Sequence, residues 1–459
     1  MTSITDDVPM QGDNPSPVSD ITRKVKVGWA SGALGVAILM NSIGGLALFY
    51  MISVLHINPA LAGGLIFVTK IFDVLSDPIV GRWSDSLRSG KSRRRPFLLW
   101  GALISAGSFA MIFTTPLFDS EWMRAGYVFI AMLIYTIGYT IFNVPYMSMP
   151  SEMTEDYHER SSIHSYRMMF ISVANLVAGA LTPWILEKMG RLEWSSYALI
   201  GVAGAVIILL SMINAWRTTA DAKFTEAGTH TPRMLDELSH VWRNRHFIRL
   251  LGVKAAQLIG IASAAAAGMF FLLNVLQKDL NLMALTGLVV GPMSLLFAPV
   301  VVWISKRLGK SRTYMLAAAN YVVITATWVI ADANEPDWAY LLRMALVSFS
   351  ASGNIIMAMS MLTDIINHDA KKTGVRREGV YTAFYSFTEK FTFAFGPLIV
   401  GLALGFAGFD KNIPPEAMQT EEIRQALLLG NCYIPVVMGI LAIFLLSGYK
   451  LKEEDLKNE

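Results

Sequence analysis

A single cysteine, Cys432, in 459 residues excludes an intramolecular disulfide and any cysteine-built metal cluster. Histidine is also scarce: the seven copies are scattered, and none sits at metal-ligand spacing. Charged residues make up only 16% of the chain. Their signs nearly cancel, 38 Lys and Arg against 35 Asp and Glu for a net +3, so no nucleic-acid partner is expected. Neither GxxxxGK[ST] nor GxSxG occurs, which removes ATP hydrolysis on a P-loop and the hydrolase elbow. The chain reads as neither an enzyme nor a cofactor carrier.

What is abundant is apolar sequence. Hydrophobic residues reach 54% and the mean hydropathy is +0.46, values of a polytopic helical membrane protein. Windows of about 19 residues, enough to cross a hydrocarbon core of about 30 Å, give twelve spans: 28–54, 61–85, 96–115, 124–150, 165–187, 195–215, 247–276, 283–305, 312–331, 338–364, 378–407 and 426–448. The expected layout is a polar tail over 1–27, a six-helix bundle over 28–215, a charged linker over 216–246, a second six-helix bundle over 247–448 and a tail over 449–459. The opening residues lack the basic start and short apolar core of a signal peptide, so the first span is expected to stay as a helix.

The two halves share a signal. PIVGRWSDSLRSGKSR from Pro78 resembles PVVVWISKRLGKSR from Pro299, which points to a degenerate repeat about an axis along the membrane normal. Basic residues collect on one side of the twelve-span layout, before spans 1 and 7 and after spans 2, 8, 10 and 12. The positive-inside rule then sets both termini in the cytoplasm of a cell-membrane (inner-membrane) protein. Trp122, Trp184, Trp194 and Trp338 fall at the opposite ends, as an aromatic belt would.

Charge inside a span is the strongest functional pointer, because a charge at bilayer depth costs from about 2.5 to more than 10 kcal/mol and needs a partner or a watery cavity. In KIFDVLSDPIVGRWSDS, Lys70, Asp73 and Asp77 stand at i, i+3 and i+7 on one stripe of a helix. Lys70 is expected to hold Asp73 ionised. Lys390 lies mid-span in the eleventh segment and calls for a carboxylate from span 2 or from adjacent Glu389. Lys254 is close enough to a span end to snorkel.

These stretches carry a family resemblance. FDVLSDPIVG, YTIFNVPYMSM, HERSSIHSYRMMF and LTDIINHDAKKTGVRREGVYTAFYSFTEKF resemble the glycoside-pentoside-hexuronide:cation symporters, the melibiose permease group of the major facilitator superfamily. The resemblance implies twelve helices in two pseudo-symmetric halves and cation-coupled solute transport by alternating access. It also implies that Asp73 and Asp77, with Thr140, bind the coupling cation, and that Ser76 stands where the family has Asn. Sodium at Asp73 and Asp77 fits the oxygen donors. A proton needs only a desolvated carboxylate beside a like charge. Both ions stay open, with a lean toward protons.

Arg167 matches the family's arginine and Lys390 its lysine between the solute and cation sites, while Asn143 and Ala37 replace two acidic sugar ligands, with Asn41 one turn beyond Ala37. Asn41, Asn143, Arg167 and Lys390 are therefore the expected solute contacts, and a kept arginine without the acids suits a solute with an oxyanion of its own. Asp85, Arg88, Asp364 and Asp369 are expected to form a cytoplasmic gate, whose salt bridges with Arg88, Arg93 or Arg160 close the inner side when the outward state is populated. The expected partners are a sugar or glycoside and the lipid bilayer, and the chain is expected to work as a monomer. The competing readings are a lysolipid or other amphiphile transporter on the same fold and a non-transporting receptor.

Overall fold

The computed structural model describes residues 21–86, 94–154, 157–221, 240–375, 377–410 and 420–449. Within them twelve helices are long and apolar enough to cross a membrane: α1 Arg23–Val54, α2 Pro59–Ser84, α3 Arg95–Phe113, α4 Glu121–Pro150, α5 Ser162–Met189, α6 Trp194–Thr218, α7 Arg245–Val275, α8 Leu280–Leu308, α9 Lys310–Ile330, α10 Asp337–Thr373, α11 Glu378–Phe406 and α12 Glu421–Ser447. The expected spans fall on these helices. Hydropathy misses polar extensions such as 365–373 of α10, which continue the helix beyond the apolar window.

The repeat shows in the backbone. Helix α1 ends in a widened turn in which Leu55 N–H donates five residues back to the Tyr50 carbonyl (3.0 Å) and Ile57 N–H six back to that of Met51 (2.9 Å). Helix α7 ends the same way, Leu276 donating to Phe271 and Lys278 to Leu272, both at 3.1 Å. His56 and Gln277 then take left-handed φ of 50° and 52°, the same uncommon non-glycine conformation 221 positions apart. Two residues on, a side chain caps the next helix: the Asn58 side-chain oxygen accepts from Ala60 N–H (3.0 Å) and that of Asp279 from Leu282 N–H (3.3 Å). Helices α4 and α10 open on acids that grip these corners, Glu121 accepting from Asn58 N–H at 2.7 Å and Asp337 pairing with Lys278 at 3.0 Å. The spacing of 221 is also that of Pro78 in α2 and Pro299 in α8, each within its helix and unable to donate to the carbonyl four residues back.

At this corner end, opposite the chain termini, the two halves close on each other. A single apolar core runs through both, from Phe49 and Phe113 in one half to Phe270 and Leu427 in the other. Backbones touch through glycines. A Cβ on Gly63 of α2 would lie 2.5 Å from the Pro397 carbonyl of α11, and one on Gly287 of α8 would lie 2.5 Å from Gly179 of α5. At the terminus end the second half has a separate core around Phe247, Tyr314, Met361, Tyr381 and Leu446. Cys432 is buried in α12, its thiol donating to the Thr325 carbonyl of α9 at 3.2 Å.

Candidate cation and solute site

Helix α2 carries Asp73, Ser76 and Asp77 to the seam with α4 and α11. One turn separates the two aspartates, so both carboxylates project from the same stripe, Asp73 buried at 4% exposure and Asp77 partly open. The Oδ1 of each accepts from the Thr140 hydroxyl of α4, at 3.2 Å for Asp73 and 3.3 Å for Asp77. The Ser76 hydroxyl donates to the Asp73 carbonyl (2.9 Å) and lies 3.2 Å from that of Thr140. The four side chains named from the sequence thus meet in one cluster.

Lys390 of α11 completes it from the other half. Its Nζ is 2.6 Å from Asp77 Oδ2 and 3.4 Å from Asp73 Oδ2, and lies 5.1 Å from the centroid of the Tyr139 ring. Thr140 therefore ties the Oδ1 atoms together while one ammonium holds the Oδ2 atoms. The ammonium stands where a coupling cation would have to compete. Lys70, expected to hold Asp73 ionised, makes no ion pair within 4 Å among the described residues, and the position between the carboxylates is taken by Lys390. Of the two carboxylate sources expected for Lys390, span 2 supplies the partner and Glu389 does not. It pairs with Lys254 of α7 at 2.9 Å, because adjacent residues on a helix point about 100° apart and only one of them can face α2. Lys254, expected to snorkel, is instead buried and paired.

The other expected solute contacts spread over α1, α4 and α5. The Asn41 side chain donates to Asn175 of α5 at 2.8 Å, and both border a cavity of about 370 Å³ between the halves, with Gly45, Gly179, Met269 and Phe393. Wide turns at Ser42–Leu46 of α1 and Val177–Leu181 of α5 run along its wall. Asn143 is partly buried, one turn beyond Thr140, without a hydrogen bond among the described residues. Arg167 lies beside Tyr146 of α4 and His164 of its own helix, and its Nε is buried with no partner among the described residues. Tyr139, Asn175 and Lys254 were not marked in the sequence as members of a site. Tyr139 and Asn175 carried no signal beyond their position one residue before Thr140 and eight after Arg167, and Lys254 only its charge within a span.

Two of the expected gate acids can be placed, and both pair locally. Asp364 pairs with Lys310 of α9 at 2.6 Å, and Asp369 with His240 at 2.8 Å and Arg377 at 3.4 Å. All these partners come from the second half or the segment leading into it, since α9 and α10 adjoin within one bundle. Arg88, Arg93 and the side chains of Asp85 and Arg160 lie outside the described residues.

The family model for MFS/sugar transport proteins matches residues 28–453. The chain belongs to that family. Among its relatives, the uncharacterized symporter YnaJ of Bacillus subtilis (strain 168) is 26% identical, with 96% of this chain and 94% of the relative covered. A glucuronide carrier protein homolog of Escherichia coli (strain K12) is 24% identical over 89% of this chain and 88% of its own. A solved bacterial homologue of the iron transporter ferroportin, in an inward-facing state, superposes with a TM-score of 0.66 over 93% of this chain and 97% of that one at 12% identity, a likeness of fold. Twelve helices in two pseudo-symmetric halves are those of the major facilitator fold.

Proposed function

We propose that this chain is a secondary transporter that couples inward movement of a sugar, glycoside or sugar acid to a cation by alternating access. One observation carries the reading. A lysine from one half is clamped by two carboxylates of the other, in a cluster whose remaining oxygens belong to hydroxyls. A cation that neutralises Asp73 or Asp77 weakens the hold on Lys390, so cation binding and the contact between halves are linked through the same oxygens. The names of the family and of the glucuronide carrier homolog support a sugar. So does the cavity, whose 370 Å³ lies in the ordinary range for small-ligand pockets and whose amides face apolar walls. With both termini in the cytoplasm, closure at the far end makes this an inward-facing arrangement.

For the ion, we favour a proton, because two carboxylates a turn apart and part-buried share one ammonium and one hydroxyl. Sodium is the second reading, favoured by the convergence of Asp73 Oδ1, Asp77 Oδ1 and Ser76 Oγ on Thr140 Oγ1, each within 3.3 Å of it. Right-side-out vesicles challenged with glucosides, xylosides, glucuronides and sulfonated sugars test both. Accumulation abolished by a protonophore at zero sodium is expected. Accumulation driven by a sodium gradient at constant pH and indifferent to the protonophore selects sodium, and no accumulation of any sugar under either gradient removes the reading.

A further inference from the structure

The cluster around Glu389 lies outside the cation site. Its carboxylate is held by Lys254 at 2.9 Å, yet the two partners are unequally placed: the lysine side chain is 11% exposed and the glutamate 41%. Here the buried lysine is a fixed anchor and the carboxylate is the presented group. Tyr385, one turn before Glu389, sets its ring 5.3 Å from Lys254 Nζ, and its buried hydroxyl has no hydrogen-bond partner among the described residues. Behind the lysine, Tyr314 donates to Gln257 (2.7 Å) and Gln257 to Asn354 (3.2 Å), a polar layer that ties α7 to α9 and α10.

Glu389 stands on α11 one turn before a residue that borders the cavity between the halves. Lys390 beside it reaches across to α2, and Phe393 one turn further borders the cavity together with Ala265 and Met269 of α7, the helix that carries Lys254. An ionised carboxylate with one oxygen on a lysine keeps acceptor capacity on the other, and adjacent hydroxyls on a ring can donate to both. We propose that Glu389, anchored by Lys254, is the hydroxyl acceptor of the second half, and that the solute it selects is a ring with free vicinal hydroxyls. This rests on the sugar-transport reading and adds to it. It places acceptor chemistry in α11 of a chain that carries Ala37 in α1 and Asn143 in α4.

The test uses the purified full-length protein and equilibrium binding of three labelled probes, methyl β-D-glucoside, methyl β-D-xyloside and methyl β-D-glucuronide. Glu389→Gln is expected to weaken binding of whichever probe the wild type takes by about ten- to a hundredfold, the size of a lost hydrogen bond to a charged group, while the thermal shift produced by sodium or by acid stays as in wild type. The swapped pair Lys254→Glu with Glu389→Lys is expected to recover thermal stability but not probe affinity. Probe binding by Glu389→Gln within twofold of wild type, or recovery of affinity in the swapped pair, overturns the assignment and leaves sugar transport standing. Failure of all three probes to bind the wild type overturns both.

Discussion

At the scale of single residues, the cation cluster is asymmetric in a way that predicts which substitutions uncouple and which only weaken. Asp77 carries the shortest contact to Lys390, and Asp77→Asn removes the charge while keeping the shape. Accumulation in vesicles should fall to equilibration, with solute binding retained, and a variant that still concentrates solute would remove Asp77 from the coupling. The buried Nε of Arg167 has no partner among the described residues, and lysine cannot copy the planar fork with which a guanidinium would meet an oxyanion. Arg167→Lys should therefore lower affinity for an acidic sugar by about tenfold and leave a neutral glycoside unaffected. Equal affinities of wild type and variant for the glucuronide would mean that Arg167 only braces α5 against α4. Ser76→Asn lengthens a side chain whose oxygen is 3.2 Å from Thr140, and sodium-driven uptake is expected to rise relative to proton-driven uptake.

At the scale of elements, the close approaches between halves depend on what glycine lacks. A valine at Gly287 would drive its Cβ into the Gly179 backbone, and one at Gly63 into the Pro397 carbonyl. Either should prop open the corner end. Spin labels at Trp122→Cys and Trp338→Cys, exposed positions at the starts of α4 and α10, should report a longer distance in Gly287→Val than in the parent. An unchanged distance would mean that the glycines do not control closure. Asn58→Ala, which takes a cap from α2, should cost about 1 kcal/mol of stability, read from the unfolding temperature in detergent. The spans were legible in the sequence because hydropathy acts locally, and Asp73, Asp77 and Thr140 because one helix period and a family pattern mark them. The partners were not. Lys254 and Glu389 are 135 positions apart, and nothing in either segment says that the lysine turns inward instead of toward the interface. The gate acids could be named from their segment, but Lys310, His240 and Arg377 became their partners through the packing of α9 and α10 and of the segment entering α7.

At the scale of the whole molecule, one continuous core at the corner end and separate packing at the terminus end describe one limit of a two-state device. The other limit must trade the glycine contacts for contacts near the termini, about the axis that relates the two corners. The Trp122/Trp338 label pair is expected to lengthen when saturating cation and a transported sugar are added together, and to stay short with either alone. A lengthening with sugar alone would dissociate solute binding from coupling. The lone thiol, Cys432, is sealed between α9 and α12 with its proton on a carbonyl, so a soluble alkylating reagent can reach it only while that seam breathes. The labels above can thus be placed without first deleting it. The unmodified protein also holds its own clock: the alkylation rate of Cys432 times the opening of the second half, independently of the alternation that moves solute.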